Sequence, residues 1–592
     1  MYNADLVLLH APSVYDFRKT AIMHGPVSDM VPSTPAFEMY PLGFTTMAEY
    51  LERHGISTRV VNLALLMVKK ASFDVEAAIR SMRPGAFGID LHWLPHAHGA
   101  IEIARICKEA HPDIPVIFGG LSSSYYHEEL MGYPFIDYVV RGDSTEEPLR
   151  MLMSALLHGG SLADIPNLTW KGLDGSVTVN PLTHVPADMN AISLDYSYSM
   201  KSVIRDRDML GSVPFKDWLQ YPVCASLTCR GCTHNCATCG GSAYSFRTHF
   251  GRDRVAFRDP ELLVRDIANV QRYIPGPIFV LNDFLQAGRD YVAEFVRGVG
   301  KLNLRNPIAF EFFRPPQNDF YEFLNEHLND YSVEISVESH DDYVRERFGK
   351  YPYTTDELED SIANALRNGC SRFDLYFMTG IPGQTAASVV ETADYLEGAY
   401  ERLGRDTRFK PFISPMAPFL DPGSRAFDDP ETHGYRLRAR TLEEHRQLLL
   451  EPSWKYIMNY ESETMPPDEM VDATYEVAQR LLRLKARIGV EDEAVALATC
   501  ARIDAARAAM AEIDAIVAGV PERRHARLAR LAERTGALDE STIARKTELN
   551  WPARTSITHV INCALLWVKV NFNLIFGRPV VADPVCVPVR EA

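Results

Sequence analysis

The stretch from Cys229 to Ser242, Cys-Arg-Gly-Cys-Thr-His-Asn-Cys-Ala-Thr-Cys-Gly-Gly-Ser, constrains this chain more than any other feature. Within it Cys232, Cys236 and Cys239 stand at the spacing C-x3-C-x2-C. Three thiolates on so short a loop can hold three irons of a four-iron, four-sulfur cluster. The fourth iron is then left without a cysteine and open to an outside ligand. Zinc is the competing reading, because Cys229 with Cys232, and Cys236 with Cys239, also make two C-x2-C pairs. Only three residues separate those pairs, whereas zinc modules place a longer excursion between their knuckles. Iron–sulfur is therefore the favoured reading, with Cys229 outside the ligand set. A disulfide is disfavoured, since no secretory signal precedes the loop.

Length and charge narrow the class. At 592 residues the chain is too long for one core, so roughly two to four domains are expected. The formal charge of −17 argues against a nucleic-acid binder, which needs a basic face. The opening Met-Tyr-Asn-Ala-Asp has no basic n-region, and ten cysteines, four of them crowded, fit a reducing cytoplasm. The last apolar run, 560–576, is interrupted by Asn562, Lys569, Asn571 and Asn573 and falls short of the ~20 residues of a span. No stable membrane span is expected there, but a buried helix or a substrate-facing wall.

Residues 1–160 alternate between short apolar runs (5–10, 58–64, 86–92, 115–118, 137–140) and helical patterns (42–53, 73–82, 98–109, 146–157). That alternation predicts an α/β fold with a doubly wound parallel sheet, which binds ligands at the carboxyl ends of its strands. The loops at 24–35, 91–99 and 119–124 lie there. Gly119-Gly120, followed by Ser122, Ser123 and Ser124, would admit a large flat ligand close to the backbone. No G-x-G-x-x-G follows the first strand, so a dinucleotide site is not supported.

A strand–turn–strand signal at Asn167–Trp170 and Asp174–Ser176 opens a linker over 161–222. From 223 to 422 strands (223–227, 278–282, 308–313, 334–338, 374–378, 412–414) alternate with helices (261–272, 291–301, 319–329, 355–368, 386–403). The cysteine loop follows the first of these strands. The region 423–592 reads as mainly helical, with charged stretches at 468–487, 491–518 and 523–533. Its Trp454, Tyr456 and Tyr460 are core residues or, less simply, pocket walls.

The cysteine loop resembles that of the radical S-adenosylmethionine (SAM) family, although Thr238 stands where an aromatic residue is usual. The resemblance implies a partial (β/α)6 barrel over 223–422 and SAM chelated to the open iron. It implies SAM contacts from Gly240, Gly241, Asp283, Glu338, Ser339, Gly380, Pro382 and Gly383. Ahead of that loop, the paired glycines and the run Val140-Arg141-Gly142-Asp143-Ser144-Thr145-Glu146 look like the cobalamin-binding domain of cobalamin-dependent radical SAM enzymes. Cobalamin contacts are then implied at Asp90, His92, Trp93, Gly119, Gly120, Ser122, Ser123, Gly142, Glu146 and Lys69. Asp90-Leu91-His92 begins like the cobalt-ligating D-x-H-x-x-G, but it ends in Pro95 and follows the third strand. Cobalamin without a protein histidine on cobalt is therefore expected, with His24, His92, His96 and His98 as loop or core residues.

The two cofactors imply methyl transfer from SAM through cobalamin to a carbon of a small-molecule or peptide substrate. They also imply a reducing partner such as a flavodoxin or ferredoxin. The segments Phe37–Gly43, Asn62–Ala64 and Asp90–Trp93 look like a narrower branch, the tryptophan 2-C-methyltransferases. There the methylation is polar, and a basic residue, for which Lys69 or Lys70 could stand here, sits beneath cobalt. Rearranging or cyclising enzymes on the same scaffold are the alternative, with a redox-cluster sensor behind them. If methyl transfer is right, the loops 91–99 and 119–124 should face residues 232–242 across one cavity, with 423–592 as its cap.

Overall fold

The computed structural model describes residues 4–21, 34–328, 330–350, 352–416, 419–535 and 553–577, and positions 548, 551 and 580. His24 and most of the loop 24–35 lie outside the described residues. The chain begins with five parallel strands: β1 (Leu6–His10), β2 (Thr58–Asn62), β3 (Ala86–Asp90), β4 (Val116–Gly119) and β5 (Tyr138–Val140). β1, β2 and β3 are buried at every position, as strands covered by helices on both faces must be. The apolar run expected as a strand to residue 64 stops at Asn62. Its side chain accepts from Leu65 N and caps the helix Leu63–Lys69.

The hairpin β6 (Leu168–Lys171) and β7 (Val177–Val179) is present at the expected turn. It does not merely link: β6 pairs antiparallel with β5, so the sheet has seven strands in the order β2-β1-β3-β4-β5-β6-β7. The order reverses between β1 and β3, which opens a crevice at their carboxyl ends. The following segment folds back over this sheet, where Asn62 N donates to Gly211 O at 2.7 Å and Tyr40 N to Pro214 O at 3.1 Å.

Strand β8 (Cys224–Leu227) leads into the cysteine loop, which starts in the two-residue β9 (Cys229–Arg230), paired antiparallel with β10 (Ala256–Phe257). Then come β11 (Ile278–Leu281), β12 (Ile308–Phe312), β13 (Tyr331–Glu338), β14 (Cys370–Thr379) and β15 (Phe409–Pro415). With β8 they form one parallel sheet in the order β15-β14-β13-β12-β11-β8. Apart from the excursion through β9 and β10, consecutive strands are neighbours, as in a barrel left open by two units. The helices between them have local start signals, such as the capping boxes of Thr354 with Glu357 and Thr385 with Ser388.

The described part of the last third is helical. Helix Pro467–Ile488 packs on Ala386–Arg402 outside the barrel, and Glu493–Val517 packs on it in turn. Further on, Glu548, Trp551 and Arg554 touch the barrel near the amino ends of its strands. There the Trp551 ring meets Phe279 at 5.3 Å, Glu548 O accepts from Arg372 at 2.8 Å, and Arg554 N donates to Pro275 O at 2.9 Å. Trp454 and Tyr460 are buried core residues, and Tyr456 bonds Asp514 at 2.8 Å. The run 560–576 does form a helix, Ile557–Ile575, but it is neither buried nor a substrate wall. One side leans on Pro260–Tyr273 and Ser197–Asp206, while Leu565, Trp567 and Val568 stay more than half exposed. No described helix is long and apolar enough to cross a membrane.

Candidate active site

The carboxyl ends of both sheets open onto one cavity of about 720 Å³. His92, Trp93, Gly119 and Gly120 of the first sheet line it together with Cys232, Cys236, Cys239 and Gly241 of the cysteine loop. The expected juxtaposition of the two loop sets is therefore present. Among the described residues none beyond Asp421 lines the cavity.

The loop holds its cysteines from the backbone outward. His234 N donates to Cys232 Sγ and Gly241 N to Cys239 Sγ, both at 3.3 Å, and Ala237 N is anchored on Phe348 O at 2.7 Å. Such N–H bonds to sulfur suit cluster thiolates. Among the described residues no three His, Cys, Asp or Glu gather around a single-ion site. Burial pushes the Cys236 thiol up to about 12, so its thiolate needs a cationic partner such as iron. Cys229 is fully buried in β9, where the strand pairing with β10 holds its backbone.

Beside the cysteines stands Glu338, in the left-handed region at φ 63° and almost fully buried. Its Oε1 accepts from Lys350 Nζ at 2.8 Å, and its Oε2 is buried with no partner among the described residues. A buried carboxylate oxygen with no donor invites a cationic or N–H group of a ligand, so this side of the cavity fits SAM. Lys350, which also donates to Ser336 O and lies 5.6 Å from the Phe313 ring centre, was not singled out from sequence. Glu338 and Gly241 line the cavity, and Gly240 bonds Asp421 Oδ2 next to Cys239 without lining it; the other expected SAM contacts do not line it either. Asp283 accepts from Leu285 N and Phe313 N, at 2.9 and 3.1 Å, and it is the neighbouring Asn282 that reaches the wall. Ser339 Oγ accepts from Asp341 N. Gly380, Pro382 and Gly383 turn away: Gly380 N donates to Gln384 Oε1, and a Cβ on Gly380 would lie 3.0 Å from Met470 Sδ. The loop packs on the helical last third instead.

On the other wall, Asp90, His92, Trp93, Gly119, Gly120, Gly142 and Glu146 all line the cavity. A Cβ on Gly119 would meet nothing closer than Val140 O at 3.9 Å, so a flat group can come close to this backbone. Gly120 is required by its backbone: φ is 116°, and a Cβ would lie 2.4 Å from His92 Cα. Ser122 and Ser123 are buried and off the cavity; Ser123 Oγ donates to Gly119 O at 3.0 Å. Lys69 faces Asp217 at 3.8 Å and Lys70 is exposed, so neither reaches the cavity. Burial raises the Asp90 carboxyl, but the His10 and His92 imidazoles outweigh it and hold the group well below the usual range. The room and the glycine backbone fit a corrin.

Sequence reasoning missed the residues that lock the two walls together. Asp421 Oδ1 accepts from Trp93 Nε1 at 2.7 Å and its Oδ2 from Gly240 N at 3.0 Å. Arg230 forks onto Glu146 at 2.5 and 2.8 Å, and Arg252 binds Asp143 with both ends almost fully buried. Their partners lie 84 to 328 residues away, so no local pattern carries the signal.

Comparison with known proteins agrees with this geometry. Residues 30–150 match the B12 binding domain family, and residues 226–396 match the Radical SAM superfamily. A 247-residue stretch is 25% identical to the anaerobic magnesium-protoporphyrin IX monomethyl ester cyclase of Rubrivivax gelatinosus, spanning 41% of each chain. The fold is similar to that of the radical SAM methyltransferase TsrM of Kitasatospora setae, in a structure with tryptophan and aza-SAM bound. There the TM-score is 0.52 and the identity 16%, over 74% of this chain and 79% of that one. It is also similar to the cobalamin-dependent SAM radical enzyme OxsB with aqua-cobalamin and SAM bound. That TM-score is 0.54 at 12% identity, over 98% of this chain and 76% of that one.

Proposed function

We propose that this protein is a cobalamin-dependent radical SAM methyltransferase that works with a [4Fe–4S] cluster, SAM and cobalamin. Its acceptor is a carbon of an apolar, ring-bearing small-molecule or peptide substrate, such as an indole. The observation that carries this reading is the single cavity shared by the carboxyl ends of the two sheets. When bound, the cofactors supply one-electron chemistry, the methyl group and a carrier for it.

The chain's own residues bind, orient and exclude water. Cys232, Cys236 and Cys239 would hold the cluster, and the free Oε2 of Glu338 would take a donor group of SAM. Gly119 and Gly120 would let the corrin approach the backbone. Phe313, Phe348, Tyr376, Phe412 and Phe419 wall the barrel side, which favours an apolar acceptor and keeps water from reactive species. The electron would come from a one-electron reductant of the flavodoxin or ferredoxin kind.

The test is anaerobic incubation of the reconstituted protein with methyl-labelled SAM, following the label to cobalamin and then to product. Label on cobalamin and in the product is expected; a product formed without label would refute methyl transfer. The stretch resembling a cyclase supports a second reading, ring closure without methylation. The same experiment separates the two.

A further inference from the structure

We infer that the helix Ile557–Ile575 is a membrane-surface anchor, which lies flat on an anionic lipid bilayer with its outer face in the interfacial layer. The inference does not depend on the reaction proposed above. Toward the protein the helix is fixed by polar bonds. His559 Nε2 lies 3.0 Å from Gln271 O, Asn562 Nδ2 donates to Arg272 O at 2.9 Å, and Cys563 Sγ donates to Tyr273 O at 3.5 Å. Its buried side chains, His559, Leu566 and Val570, fall on one stripe at i, i+7 and i+11.

The opposite face is apolar and open. Ile561, Leu565, Trp567, Val568, Phe572 and Ile575 are each 48% to 78% exposed. Single apolar residues on a surface are ordinary, but a continuous apolar face marks a place where something docks.

Charge selects the occupant. The chain as a whole carries −17, yet positions 549–582 hold no Asp or Glu. Exposed cations rim the helix instead. Lys569 stands on it, Arg272 lies alongside at the bond from Asn562, and Arg305 is next, its N donating to Gln271 Oε1 at 2.7 Å. Among the described residues none of these three has a carboxylate in ion-pair reach. Arg554 adds less, being paired with Asp330.

An apolar face bordered by Lys and Arg suits an anionic interface. Its side chains enter the acyl boundary by ~5–10 Å while the cations meet lipid phosphates. A second copy fits worse, because a two-fold pairing over this face would bring like cations together with no acid on the helix between them. A span fits worse too, since the inner stripe is bonded to the helix Pro260–Tyr273 and Lys569, Asn571 and Asn573 interrupt the apolar run. The helix does not line the cavity, so docking by this face leaves that site free.

The experiment is flotation of the full-length protein with vesicles of phosphatidylcholine alone or mixed with phosphatidylglycerol. The protein is expected to float with the mixed vesicles and to be released by added salt. Lys569→Gln should weaken that binding about fivefold. Val568→Glu with Phe572→Glu, at exposed positions, should lower it by about tenfold or more. In the wild type, tryptophan emission should shift to the blue on the mixed vesicles, and in Trp567→Phe it should not. That readout stands even if the double variant does not fold. Protein that stays in solution beside the mixed vesicles overturns the inference, as does flotation that the double variant leaves undiminished. A dimer in sedimentation that ignores vesicles and dissociates in Val568→Glu assigns the face to a second copy and overturns it as well.

Discussion

The fork between Arg230 and Glu146 ties the cysteine loop to the first sheet, and it can be tested by replacing each partner with methionine. The side chains of Arg230 and Glu146 are 14% and 6% exposed, so water solvates neither charge well. Removing one partner leaves the other as an uncompensated buried charge, which costs about 3–5 kcal/mol. Thr46 Oγ1, which donates to Glu146 at 2.9 Å, retains Gly43 O at 3.2 Å as an acceptor and adds little to that cost. The unbranched methionine fills most of either side chain's space. In the Glu146→Met/Arg230→Met double variant neither charge remains, and an apolar pair of similar volume is often nearly neutral. Urea unfolding of the four proteins closes the cycle. The double variant is expected to fall short of the sum of the single losses by at least ~2 kcal/mol. Additivity within ~0.5 kcal/mol would mean that the fork couples nothing, and the argument for a locked cavity would fail at this point.

Other outcomes follow from the same geometry. Cys232→Ala, Cys236→Ala and Cys239→Ala should each lose the cluster's iron and visible charge-transfer band after anaerobic reconstitution, while Cys229→Ala keeps both; a Cys229→Ala protein that alone loses its iron would reverse the assignment. Gly120→Ala places a methyl against the backbone of His92 at a positive φ, so bound corrin absorbance should fall at least tenfold while iron content is unchanged. Asp421→Ala strands the Trp93 and Gly240 N–H groups and should destabilise by about 3–6 kcal/mol in thermal or urea unfolding, each lost bond to a charged group being worth ~1.5–3 kcal/mol. An unchanged midpoint would show that Asp421 does not hold the walls together.

How much of this protein is legible without its structure depends on the distance over which each signal acts. The strands and helices of both sheets follow from apolar periodicity and caps within a few residues, as with the helix Leu42–Arg53 expected at the same residues. The cysteine spacing is equally local, and three thiols within the eight residues 232–239 have few places to go. Direction is another matter. Gly380–Gly383 is a turn after a strand in any reading, but whether it faces the cavity depends on Met470 pressing from ninety residues on. Hydropathy marks 560–576 as apolar, yet not how little of the helix finds a surface to pack on. Asp421 carries no pattern at all; its two donors, Trp93 and Gly240, are brought to it only when both sheets have folded. Short-range stereochemistry writes the elements into the sequence, whereas the cavity is made by contacts between residues hundreds of positions apart, whose pairing no local preference encodes.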